Sequence, residues 1–183
     1  MKRTRTFAFA AGVLVAAAGA ALLARAHSVP TQAAGQAFSE VKWPFLMDQW
    51  GLGRAFHCDA KNCGVAVDVY VRAKIGFCNC TSGVSDDDEL DRVGDVELVG
   101  EQYKPSNAGH PIAVAWMKGR SRPYDVTGRA AGTTLALAFN DKCDVIVATA
   151  VVPNGSAARI EPAVLAFLNS ETVVNWAKEQ LGL

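Results

Sequence analysis

An excess of charge of either sign is missing from this chain: across 183 residues, 18 Lys and Arg stand against 18 Asp and Glu. That balance excludes a broadly basic nucleic-acid binder, which needs a cationic face to neutralise phosphates. Histidine is scarce, at three residues. No His-Glu-x-x-His and no nucleophile elbow of the Gly-x-Ser-x-Gly kind occurs, which removes the commonest zinc-hydrolase and serine-hydrolase signatures. Gly51-Leu52-Gly53 lacks the further glycine that a dinucleotide loop needs to bring its backbone against a pyrophosphate. Internal repeats are lacking too. None of this implies disorder. Half the residues are hydrophobic and a fifth are charged, enough apolar surface for one packed domain.

The first segment reads as an export signal. Lys2, Arg3 and Arg5 open the chain, an uncharged Ala-rich stretch covers residues 7–23, and Ala24-Arg25-Ala26 supplies small residues at −3 and −1. This pattern predicts cleavage after Ala26, with an uncleaved inner-membrane anchor over residues 7–23 as the alternative. The cations Lys2, Arg3, Arg5 and Arg25 leave with the signal and no acid does. The mature chain is then acidic, with no electrostatic reason to bind nucleic acid or an anionic membrane surface. A periplasmic protein partner stays open. Residues 27–40, rich in Pro, Gln, Ala and Gly, read as a flexible linker, and residues 41–183 as one domain.

Within that domain the expected class is α+β: a single antiparallel sheet of about four to five strands, a short N-terminal helix opened by Pro44, and two C-terminal helices packed on the sheet. The clearest strand covers residues 65–77, where odd positions are apolar and Asp68, Tyr70, Arg72 and Lys74 alternate with them. A period of two predicts one buried and one wet face. Further strands are read at 112–117, around Leu135, Leu137 and Phe139, and at 145–152, the last apolar on both faces and so central. Asn140-Asp141-Lys142 is the expected hairpin loop. Pro162 is read as opening one helix and Ser170 as capping the next.

Cysteine is the chemically distinctive residue. An exported chain meets an oxidising compartment, so Cys58, Cys63, Cys78, Cys80 and Cys143 are all disulfide candidates, and an odd number leaves at least one over. A bridge across the loop between Cys58 and Cys63 fits the reach of a disulfide. Were the long strand to continue, Cys78 and Cys80 would lie on its wet face near Arg72 and Lys74, about 6.6–6.8 Å apart. That is the outer limit for a bond between them, and the nearby cations would favour thiolate. Alternatively, one of the two bridges to Cys143. A third reading takes Cys58, Cys63, Cys78 and Cys80, with His57, as thiolate and imidazole ligands for Cu or Zn, although C-x4-C and C-x-C are not the spacings of the common zinc motifs. On the first reading no cofactor is expected.

Two charged segments complete the inventory. Residues 85–91, Ser-Asp-Asp-Asp-Glu-Leu-Asp, lack the alternation of a Ca²⁺ loop and read as a short helix capped by Ser85, its acids at the positive end. Lys118, Arg120 and Arg122 around Ser121-Pro123-Tyr124 form a basic patch, either a solvated turn or a surface for an anion or partner.

Trp43-Pro44-Phe45-Leu46-Met47-Asp48-Gln49-Trp50-Gly51, Phe77-Cys78-Asn79-Cys80 and Ala115-Trp116-Met117-Lys118-Gly119-Arg120-Ser121-Arg122-Pro123-Tyr124 resemble segments of a group of small exported bacterial proteins with no assigned activity. The resemblance implies a periplasmic setting and no catalytic residue. The functional expectation is an exported binding or accessory domain, partly held by disulfides and without a recognisable catalytic site. A metal-handling or thiol-redox protein built on Cys58, Cys63, Cys78 and Cys80 is the alternative.

Overall fold

Alternating apolar residues make the strands, and the computed structural model, which describes residues 37–128, 132–153 and 155–183, joins eight of them in one sheet. They are β1 (Ser39–Val41), β2 (Arg54–Cys58), β3 (Val67–Lys74), β4 (Gln102–Pro105), β5 (His110–Val114), β6 (Met117–Thr127), β7 (Gly132–Asp141) and β8 (Asp144–Val152). The order is β1-β2-β3-β8-β7-β6-β4, with β5 also on β6, and every pairing is antiparallel. The α+β class holds. The strand number does not: eight replace the expected four to five, because β1, β2, β4 and β6 are not among those read from the sequence. β1 and β4 are short, exposed edge segments, β2 is only five residues, and most of β6 lies in the charged segment read as a turn.

The long strand β6 carries Pro123 in its interior. Its carbonyl accepts from Ser106 N, so the side lacking an N–H faces the gap between β5, whose first residue His110 lies opposite Ser121, and β4, whose last residue Pro105 lies opposite Tyr124. A proline is tolerated there as on a sheet edge. The segment around Lys118 and Arg122 is therefore strand, not the solvated turn expected. The true turn lies just before it, where Ala115 adopts φ 50°.

Both faces of the sheet are covered. One face of β3, with Val67, Val69 and Val71, packs with Phe56, Leu135, Leu137, Phe139 and Ile146 under α3 (Ala157–Leu168) and α4 (Glu171–Gln180). The other carries Ala136, Ala138, Val145 and Val147 beneath Leu90 and Val93 of α2 (Asp87–Val93), Val96 of a 3-10 turn (Val96–Leu98) and Val99. The expected wet face is thus a second core. A fourth helix, α1 (Ala60–Cys63), is a single turn between β2 and β3.

Further boundaries differ from expectation. Residues 43–51 form no helix. A bridge between Asp48 and Gly51 closes a turn there, with the Asp48 carboxylate accepting from Trp50 N, while Trp43 and Phe45 pack edge-on against Tyr70. Helix α3 starts at Ala157, with Pro162 inside it; burying Ala157 and Ile160 outweighs the bond the proline removes. The β7–β8 turn is centred on Lys142 and Cys143, one residue later than read. β8 is central, as expected. The segment 1–26, expected to be a signal, lies outside the described residues. So does most of the expected linker, whose last residues belong to the fold: Phe38 stacks on Phe167, and Ser39 begins β1. Among the described residues no helix is long and apolar enough to cross a membrane.

Helix α2 holds the second layer in place. Its N-cap is Asp86 rather than Ser85, accepting from Glu89 N at 2.8 Å. Asp86→Ala is expected to cost about 1 kcal/mol, read as a lower urea midpoint.

Candidate functional site

Where β3 ends at Lys74, the chain leaves the sheet and brings Cys78 and Cys80 to the β7–β8 turn. Cys80 bonds Cys143, with Cα atoms 4.2 Å apart, and Cys58 bonds Cys63 across α1, at 6.1 Å. The pairing of one C-x-C member with Cys143 is the arrangement found, and a Cys78–Cys80 bond is not. Cys78 is a free, buried thiol, 6 % exposed. Its N–H donates to the Cys143 carbonyl at 3.1 Å and its Sγ to the Lys142 carbonyl at 3.2 Å. The expected thiolate is overturned. Burial pushes the Cys78 thiol up, Glu89 and Asp144 push the same way, and Arg92 opposes them weakly. Arg72 and Lys74 lie elsewhere, bound to Asp95.

Of these cysteines, Cys80 borders a cleft of about 280 Å³, lined also by Thr81, Ser82, Gly83, Asn140, Lys142, Trp116 and Lys118. Its walls are fixed locally. The Asn79 carboxamide accepts from Thr81 N and Ser82 N, and Asn140 accepts from Val84 N while donating to the Lys142 carbonyl. On the far wall, Ala115 N donates to Asn169 Oδ1 at the end of α3, and Lys178 sits 5.7 Å from the Trp116 ring. Trp116 is 41 % exposed. Lys118 and Lys142 have no ion-pair partner among the described residues, whereas Arg120 and Arg122 do. Arg120 binds Asp87, and Arg122 binds Asp91. Asp87 and Asp91 lie one helical turn apart on α2, so both reach the cations of β6. Two-thirds of the expected basic patch is thereby neutralised within the molecule.

A buried ion cluster lies on the same face. Arg72 donates to Asp95 through two nitrogens at 2.5 and 2.7 Å and to Asp48 at 2.7 Å. Lys74 lies 2.7 Å from Asp95 and donates to the Val93 carbonyl at 2.7 Å. Arg72, Lys74 and Asp95 are each 3 % exposed. Two cations and two carboxylates balance only when Asp48 closes in, and Trp50 of the same turn packs at a tilt against Phe77 beside Lys74. The 43–51 segment is therefore latched over the sheet, with Leu46 and Met47 exposed at its tip. Among the described residues no set of three His, Cys, Asp or Glu converges as metal ligands. The five residues read as a metal set are not brought together: His57 pairs with Asp68 at 2.7 Å across β2 and β3, three of the set's four sulfurs are bonded in the two bridges, and Cys78 is buried at the far end of the sheet.

The acids of this layer give stability a pH dependence. Asp87 is held below the usual carboxylate range by the Gly109 N–H and by Arg120, and Glu89 by Arg92. Burial pushes Asp48 up, but Arg72 and the Trp50 N–H hold it down. Their contribution is complete above the unfolded values near pH 4 and is lost as pH falls through the native ones. Glu97, raised by burial, works in the opposite sense. The urea midpoint is expected to fall between about pH 5 and about pH 3, less steeply in Asp87→Asn. Compared with protein families and with curated proteins, the chain matches none.

Proposed function

We propose that this protein is an exported, disulfide-braced binding domain of the periplasm, and that the cleft between the Cys80–Cys143 bridge and Trp116 takes a small organic anion. The observation that carries the reading is the pair Lys118 and Lys142, which line one cleft with no carboxylate partner among the described residues, while Arg120 and Arg122, on the same strand as Lys118, are both paired. Hydroxyls and amides of Thr81, Ser82 and Asn140 line the same cleft and suit the rim of a polar ligand, with Trp116 as the apolar wall. Hydroxyls, amides, two ammonium groups and an indole are the chemistry of a site that recognises a polar anion. Two bridges fit an oxidising compartment, as do the N-terminal pattern and the resemblance to small exported bacterial proteins.

Calorimetric titration of the folded protein with citrate tests the reading. Saturable binding is expected, at least about tenfold weaker in Lys118→Glu with Lys142→Glu, a loss of about 1.4 kcal/mol or more. Binding that is absent, or indifferent to both substitutions, overturns it.

A further inference from the structure

Three sulfurs meet at one end of the sheet, and Cys143 stands between the other two. Cys80 is bonded to it and exposed in the cleft. Cys78 is joined to it by a backbone hydrogen bond of 3.1 Å, with Sγ against the carbonyl that precedes it. One such N–H···O bond leaves two Cα atoms about 5–6 Å apart, within the roughly 4.4–6.8 Å that a disulfide spans. A Cys78–Cys143 bond would therefore use backbone contacts already present.

We propose that Cys78, Cys80 and Cys143 form an exchange centre in which the bridge passes from Cys80–Cys143 to Cys78–Cys143, making Cys80 a site of mixed-disulfide formation with small anionic disulfides. The Cys78 thiolate attacks Cys143 Sγ, the Cys80–Cys143 bond breaks, and Cys80 leaves with the electron pair, while the proton of Cys78 goes to solvent. The number of disulfides is unchanged and no oxidant is consumed. Cys80, now a thiolate between Lys118 and Lys142, attacks a disulfide RSSR, forming Cys80–S–S–R and releasing RS⁻, which takes up the proton. Burial keeps the Cys78 thiol protonated, so the first step runs through a small thiolate fraction and is slow. The centre differs from the expected redox set, since Cys58 and Cys63 are bonded to each other elsewhere. Selectivity for anions, but not the exchange, rests on the proposed anion-binding cleft.

Two measurements test it. In Cys80→Ser, expressed for export and oxidised in place, Cys78 and Cys143 are expected to be bonded to each other. Two free thiols in a folded variant, judged by near-ultraviolet circular dichroism, would overturn the proposal. The full mature wild-type protein is also incubated with oxidised glutathione and mapped by mass spectrometry after acid quench. The expected product carries glutathione on Cys80 with a Cys78–Cys143 bond. Glutathione on Cys78 with Cys80–Cys143 intact, or no adduct at all, contradicts the exchange. Cystamine, a cationic disulfide, is expected to react about tenfold more slowly. Equal rates alongside a Cys78–Cys143 bond would sink the anion reading and leave the exchange standing.

Discussion

Asp95→Ala is expected to destabilise the protein by about 3–5 kcal/mol, the range for removing one partner from a buried ion pair. Asp95 is the only carboxylate among the described residues that contacts both Arg72 and Lys74, and all three are 3 % exposed. Without it, Lys74 keeps only backbone carbonyls and aromatic faces, and Arg72 keeps only Asp48. Two buried cations are then left with the one exposed carboxylate of Asp48, which only Arg72 contacts. For a domain of this size the melting temperature should drop by about 10 °C. Replacing Arg72, Lys74 and Asp95 together by Met, Leu and Leu is expected to recover most of the loss, because it also removes the desolvation cost of the charges. A loss in Asp95→Ala below about 1 kcal/mol would mean that the cluster is open to water.

The second large effect comes from the bridges. Cys80–Cys143 closes a separation of 63 residues and Cys58–Cys63 one of 5. Loop entropy of the unfolded chain then assigns about 4 kcal/mol to the first and about 2 kcal/mol to the second. Cys143→Ser is accordingly expected to lower stability about twice as much as Cys58→Ser with Cys63→Ser, by urea unfolding without reductant. Cys80→Ser should lose less than Cys143→Ser, since Cys78 can replace Cys80 as the partner of Cys143. Equal losses in those two variants would argue against the exchange centre.

Much of this fold was legible. The alternation of Val67, Val69 and Val71 marked a strand with one buried face, and the continuous apolar run of β8 marked a central one. What the alternation could not reveal is the fate of the polar half. Arg72 and Lys74 look alike in sequence whether water or Asp95 faces them, and their partners lie 23 and 24 residues along the chain for Arg72, beyond any local period. The same holds for Arg120 and Arg122, whose partners arrive from α2. Short edge strands escaped notice because pairing, not burial, holds them. The cysteine count pointed to a leftover thiol. Which member of the Cys78-Asn79-Cys80 pair it is depends on the chain leaving the sheet at Lys74 and turning Cys78 into the second core.

The latched 43–51 turn shows the cost of that locality. Its aromatic residues and proline read as a short helix, yet Asp48 and Trp50 bind Arg72 and Phe77 on and beyond β3. Contacts distant in sequence set its shape. Pro162 within α3 is the converse case: a local stop signal overruled by the burial of Ala157 and Ile160 on the sheet.

The proposed export, the two bridges and the enclosed thiol are tested together by mass. The protein is isolated from its own compartment, unfolded without reductant and alkylated, then alkylated again after reduction. The expected product is a chain beginning at His27 that takes one label, on Cys78, before reduction and labels on all five cysteines after it. A chain that keeps Met1 and takes all five labels before reduction would contradict it.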